Sequence, residues 1–155
     1  MDMMKSIVSP EALYVALNAT SKKHLMQEIS QRAADAYGLD QRAVFDALVE
    51  RERLGATGMG RGVAIPHARL AGLDRVVSVF SRLQKPIDYD SVDGEPVDLV
   101  FALFAPESAG ADHLRALARI SRCLRDPSIC AKLRGTDQAA AIYAVLTNPV
   151  NSKAA

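Results

Sequence analysis

The sequence contains no tryptophan, only two cysteines, and aromatic residues at 5%. Cys123 and Cys130 form no CxxC and match no common zinc spacing, so a disulfide framework and a structural zinc site are excluded. Both read as reduced thiols on or near a helix, as in a cytoplasmic protein. No apolar run approaches the roughly 18 residues that cross a bilayer, so membrane insertion is not expected. The opening stretch, MDMMKSIVSPEALYVAL, has an acid at position 2 and a short, interrupted apolar segment, which does not read as a signal peptide. Charge of one sign is also missing: 19 Lys+Arg stand against 18 Asp+Glu, a net charge of +1. Without clustered basic charge, no nucleic-acid footprint is expected. There is no GxSxG elbow and neither cysteine has a catalytic context, which leaves little for a hydrolase beyond His67 and His113 with Glu107 or Asp112.

What remains is an ordinary globular composition. The 155 residues are 49% hydrophobic and 24% charged, with no repeat or low-complexity linker. One domain over 1–155 is expected, with its core over about 7–147. The tail from Asn148 to Ala155 is small and polar and reads as frayed. Thr20 or Ser21 can cap a helix to about Tyr37, with Leu25, Ile29 and Ala33 on one face and Gly38 as its C-cap. Asp40 can cap a second helix, with Val44 and Leu48 inward, ending near Arg53. Strands are predicted over Gly62–Pro66, Val76–Leu83 and Val97–Phe104 from their Val, Ile and Phe content. A loop over Pro106–Gly110 precedes a helix with His113, Leu117, Ile120 and Leu124 on one face. Asp126-Pro127 opens another helix. Thr136 or Asp137 can cap the last, through Val145 or Leu146. Helices before, between and after strands predict an α/β domain: a mixed central β-sheet flanked by helices.

The segment GATGMGRGVAIPH has four glycines within eight residues, Gly55 to Gly62, and runs into Pro66-His67. A P-loop needs GxxxxGK[ST] between a strand and a helix, and the dinucleotide fingerprint needs GxGxxG opening a helix; neither is present. Two readings stay open. The loop is a tight connection from a helix to a buried strand, or its backbone N–H groups form a concave nest for an anion. His67 is either a hydrogen-bonded structural residue or a reacting group at the strand's end. His24 lies on the polar side of its helix and reads as solvated. His113 falls in the first turn of a helix, where outward N–H groups favour an anion. Two histidines, a helix N-terminus and a glycine loop suit a phosphoryl group, since neutral imidazole is a good nucleophile near neutral pH and phosphoryl transfer needs mainly positioning and donors. Arg61 and Arg69 flank the segment and read as mostly solvated. Met59 and Phe80 can serve either as an apolar docking rim or as core.

Taken together, Arg51-Glu52-Arg53-Leu54-Gly55 through Ile65-Pro66-His67, Pro86-Ile87-Asp88-Tyr89-Asp90, the stretch Asp93 to Phe104, and Ala105-Pro106-Glu107-Ser108 through His113-Leu114 resemble the enzyme IIA proteins of the bacterial phosphoenolpyruvate-dependent phosphotransferase system. The likeness is to the fructose/mannitol class and its nitrogen-regulatory branch, and it runs from about Ile7 to Leu146. It implies that His67 is the phosphorylated histidine, that His113 supports the phosphoryl group, and that Arg51 favours its charge. Thr57, Gly58 and Gly60 are the expected phosphoryl-binding support. The implied donor is an HPr-like phosphocarrier protein; no cofactor and no metal are implied. Ala68 stands where the family commonly has glycine, and Ala56 where it often has serine. No IIB- or IIC-like segment accompanies the domain, which fits a regulatory protein whose target depends on phosphorylation state. The alternatives are a sugar-specific IIA component that passes its phosphoryl group to a IIB domain, and a non-catalytic interaction module with a structural His67.

Overall fold

The computed structural model of the chain describes residues 3–148; the expectation for the tail beyond Asn148 lies outside them. In chain order the elements are α1 (Met3–Ile7), a 3-10 turn (Pro10–Ala12), β1 (Leu13–Leu17), α2 (Lys22–Tyr37), α3 (Gln41–Arg53), β2 (Gly58–Gly60), β3 (Val63–Ala64), β4 (His67–Leu70), β5 (Val77–Ile87), β6 (Val97–Pro106), α4 (Ala111–Arg125), α5 (Pro127–Arg134) and α6 (Ala139–Thr147). The strands form one six-stranded sheet in the order β1-β5-β6-β3-β2, with β4 also paired to β6. β5 and β6 are antiparallel, while β1 runs parallel to β5 and both β3 and β4 run parallel to β6. The sheet is therefore mixed, as expected.

β6 explains the layering. Its sequence, VDLVFALFAP, is nearly all apolar because helices cover both of its faces. Leu99, Phe101 and Leu103 enter the core shared with Met4, Ile120, Leu133 and Ile142. Val100, Ala102 and Phe104 enter the core shared with Leu25, Ile29, Val44 and Leu48. This is the period-two alternation of a strand, and it puts α2 and α3 on one side and α1, α4, α5 and α6 on the other.

The helix signals hold. Ser21 accepts the His24 N–H at 3.1 Å, and Asp40 accepts that of Ala43 at 2.9 Å. Asp126 accepts from the Ser128 N–H at 2.9 Å, with Pro127 in the first turn of α5. Three expectations change. The cap of α6 is Gln138 rather than Thr136 or Asp137. Asp137 is drawn instead to Arg82, at 2.7 Å, whose other donors take the carbonyls of Leu133, Arg134 and Thr136. His24 is half-buried, not solvated: its Nδ1 accepts the Thr20 N–H at 3.1 Å. Of the two readings left open for Phe80, the core reading holds: it is fully buried.

The third change bears on function. The strand expected over Gly62–Pro66 shrinks to Val63–Ala64, and His67 opens a strand instead of ending one. Pro66 has no N–H for the ladder, so pairing lapses there. Its carbonyl still accepts the Leu103 N–H at 2.9 Å, and pairing with β6 resumes at His67 opposite Leu103. β3 and β4 are thus two pieces of one course along β6, broken immediately before the histidine.

Candidate active site

β4 sets the direction of the His67 side chain. Ala68 and Leu70 face the α2/α3 core, so His67 and Arg69 face the α4 side by strand alternation. α4 begins just beyond the end of β6, and His113 in its first turn is brought against His67. The two ring centroids are 5.6 Å apart, with the planes tilted by 47°. α3 packs against β4 from the other side and sends Arg51, in its last turn, to the same place. Residues 16 and 46 positions from His67 in the chain therefore meet around one imidazole.

Hydrogen bonds fix the protonation of His67. Arg51 donates its Nε–H to Nε2 at 3.2 Å, and Nδ1 lies 2.8 Å from the carbonyl oxygen of Ile65. An arginine only donates and a carbonyl only accepts. Only one neutral tautomer satisfies both: the proton on Nδ1 and the lone pair on Nε2. Burial, countered by the Ile65 carbonyl and reinforced by the Arg51 charge, holds the His67 pKa below its ordinary 6.5. The ring is therefore neutral at neutral pH, with its nucleophilic nitrogen beside a cation.

His113 is less committed. It is buried, and its Nδ1 has no hydrogen-bond partner among the described residues. Burial, then the neighbouring His67 and Arg69, push its pKa down as well. A buried polar atom without a partner costs on the order of 1–3 kcal/mol, so such atoms are rare and concentrate where something else binds.

The glycine loop has an internal reason for its composition. Gly58 lies against Ser91, where a Cβ would collide with the serine side chain. Gly62, at φ 81°, leaves room for the Arg134–Asp98 ion pair, whose closest N···O distance is 2.7 Å. Gly60 faces Asp93, which accepts the Arg61 N–H at 2.8 Å. The Thr57 hydroxyl is turned inward to Glu52 and Tyr89. The loop is thus tied to its own surroundings, and its link to the site runs through Thr57, whose carbonyl accepts the Ile65 N–H at 3.1 Å, holding the residue that holds His67. Glu52, Tyr89 and Lys22 were not singled out from the sequence; a Glu directly after Arg51 in a helix's last turn, pointing the other way, was the available signal.

Among the described residues no three His, Cys, Asp or Glu side chains converge as metal ligands would, and no helix is long and apolar enough to cross a membrane. Cys123 and Cys130 are buried in the α4–α5 core and form no disulfide among the described residues. Ala68 has ordinary backbone geometry, and its Cβ fills the α2/α3 core where a glycine would leave a gap.

Residues 6–148 match the protein family described as the phosphoenolpyruvate-dependent sugar phosphotransferase system, EIIA 2. The chain is 54% identical over 143 residues to a nitrogen regulatory protein of Bradyrhizobium diazoefficiens, covering 92% of this chain and 94% of that one. Its fold superposes on the nitrogen regulatory protein IIA-Ntr of Neisseria meningitidis with a TM-score of 0.89 at 34% identity, covering 94% of this chain and 100% of that one. The mannitol IIA of Escherichia coli shares the fold at a TM-score of 0.74 and 19% identity, over 89% of this chain and 97% of that one.

Proposed function

The chain belongs to the EIIA 2 family of the phosphoenolpyruvate-dependent phosphotransferase system, and from that membership we propose that it is a regulatory IIA protein of the nitrogen type. In this reading His67 accepts a phosphoryl group from the phosphohistidine of an HPr-like carrier, and the phosphorylation state decides which target protein is bound. The observation that carries it is the pair of hydrogen bonds on His67, which leaves the lone pair on Nε2 next to Arg51.

Transfer proceeds by attack of Nε2 on phosphorus. The Nε2–P bond forms as the donor's N–P bond breaks, and that electron pair returns to the donor imidazole. Nδ1 keeps its proton, and the positive charge that the ring acquires is stabilised by the Ile65 carbonyl that accepts from it. Arg51 moves from the lone pair to the incoming oxygens, a short displacement for a guanidinium already anchored to the Gly55 carbonyl at 2.8 Å. His113 supplies a further donor from an uncommitted ring. Leu54, 81% exposed just after Arg51, and Leu114, 63% exposed just after His113, give the carrier an apolar rim to dock on. Phosphorylation then adds roughly two negative charges at this rim, enough to change which surface can dock there.

The test is the intact mass of the protein after incubation with phosphoenolpyruvate, enzyme I and an HPr-like carrier, beside His67→Ala. The expected result is one acid-labile phosphoryl group on the wild type and none on the variant. No mass shift with any carrier would reduce the protein to an interaction module. Efficient onward transfer to a sugar-specific IIB domain would overturn the regulatory assignment in favour of a sugar-transport component.

A further inference from the structure

Next to Arg51 and near His67 lies a buried polar cluster that the transfer chemistry does not use. Its centre is the Glu52 carboxylate, whose side chain is 9% exposed. It accepts the Thr57 N–H at 3.1 Å, the Thr57 hydroxyl, and the Tyr89 hydroxyl at 2.8 Å. Lys22 supplies the balancing charge, with Nζ 3.3 Å from the carboxylate and 4.5 Å from the centre of the Tyr89 ring. Tyr89 is fully buried, and burial together with the Glu52 charge raises its pKa far above the usual phenol range, so it stays a donor. Four separate segments end on this carboxylate: the start of α2, the last turn of α3, the glycine loop, and the chain just after β5.

We propose that Glu52 is a positioning residue for phosphoryl transfer: its carboxylate fixes Thr57, and through Thr57 and Ile65 it fixes the tautomer and orientation of His67. The proposal rests on the reading of His67 as the phosphoryl acceptor. The connection is short. The His67 Nδ1–H donates to the Ile65 carbonyl, the Ile65 N–H donates to the Thr57 carbonyl at 3.1 Å, and the Thr57 N–H donates to Glu52. Pro66, between Ile65 and His67, restricts the backbone on that path. The second effect comes through α3. Arg51 and Glu52 are adjacent and diverge: one is tied to the buried cluster, the other reaches His67 and the Gly55 carbonyl. Anchoring Glu52 therefore sets the rotation of the helix end that presents Arg51.

A cluster whose role was only to hold the fold would have been served by apolar residues of similar volume, since a buried ion pair contributes little net stability against them. Fully satisfied polar networks do fix one geometry, because every alternative leaves a buried group unpaired. The cluster sits two hydrogen bonds away from the imidazole whose geometry decides the reaction, where an error of about 1 Å can cost two orders of magnitude in rate.

The experiment compares the full chain with Glu52→Gln, Tyr89→Phe and Thr57→Val. Two quantities are read: the imidazole 15N resonances of His67 in the unphosphorylated protein, and kcat and KM for phosphorylation by the HPr-like carrier. The expected result for Glu52→Gln is a shift of His67 from the pure Nδ1–H tautomer toward a mixture and a fall in kcat of about tenfold, with KM for the carrier nearly unchanged. Tyr89→Phe and Thr57→Val, which each delete one hydroxyl, are expected to give the same signature at smaller size and to report it should Glu52→Gln fail to fold. Wild-type 15N patterns with wild-type kcat in folded variants would overturn the proposal, as would a rate that falls only with the folded fraction. The 15N readout does not need phosphorylation, so a wild-type protein that takes no phosphoryl group would sink the acceptor reading while the tautomer still decides whether Glu52 positions His67.

Discussion

His67 stands between two flanks that are built differently. On the α3 side the groups that reach toward it are engaged: Arg51 is held by the Gly55 carbonyl, and Thr57 and Tyr89 are held by Glu52. On the α4 side a buried imidazole, His113, faces it with one nitrogen unpartnered among the described residues. The first flank is complete in the resting protein and defines one tautomer of His67. The second is incomplete, and a phosphoryl group would complete it. On the proposed reading, preparing the nucleophile and receiving the charge fall to different parts of the chain.

If that division is right, the largest effect comes from the receiving flank. His113→Ala is expected to lower the rate of His67 phosphorylation by about 10²-fold, the usual loss when a preorganised donor to developing charge is removed. The His67 tautomer in the free protein should stay as it is. Rapid-quench measurement of transfer from the carrier, with 15N spectra of the free variant, checks both; a changed tautomer would show that the flanks are not independent. Arg51→Lys probes the preparing flank and should cost less, about tenfold. Lysine keeps the charge but cannot serve His67 and the Gly55 carbonyl together through a rigid fork. Arg51→Gln removes the charge as well, and with it part of what depresses the His67 pKa. An NMR titration should therefore place the variant's His67 above the wild-type value, and a downward move would contradict the geometry.

The two flanks were not equally legible in the sequence. The α4 flank was: Gly110 followed by an amphipathic run puts His113 in a first turn, and the structure finds it there. The α3 flank was half legible. Asp40 and the spacing of Val44 and Leu48 located α3, while Arg51's place at the site came only from the family resemblance. The buried cluster did not, because Lys22, Glu52, Thr57 and Tyr89 are spread over 68 residue positions and each is unremarkable in its own window. Only the sheet's topology brings them together. β1 was missed for a related reason: Leu13–Leu17 is a short edge strand whose partner, β5, lies more than 60 residues on, so no hairpin signal announces it. The break at Pro66 was misjudged because a proline within an apolar run reads as a strand's end, whereas β6 re-forms the ladder one residue later. The continuous apolar run of β6, which pairs with the strand just before it, was unmistakable, since burial on both faces leaves its mark in composition alone.

The smallest expected effect is thermodynamic, and it asks whether both flanks favour a neutral pair of rings. Both histidines have pKa values depressed below the ordinary 6.5, with burial the leading cause for each. The unfolded chain therefore takes up protons first as the pH falls, and the folded chain resists them. Stability from this source is present in full above about pH 6.5 and declines as the pH drops through the folded-state values. Urea midpoints measured between pH 5 and pH 8 should rise with pH. Replacing His113 by Asn should flatten the lower part of that rise, because one of the two resisting groups is gone and His67 loses the neighbour whose protonation would oppose its own. A midpoint that falls with increasing pH would mean that at least one ring is charged in the folded protein, and neutral Nε2 could then no longer be taken as the resting state of the site.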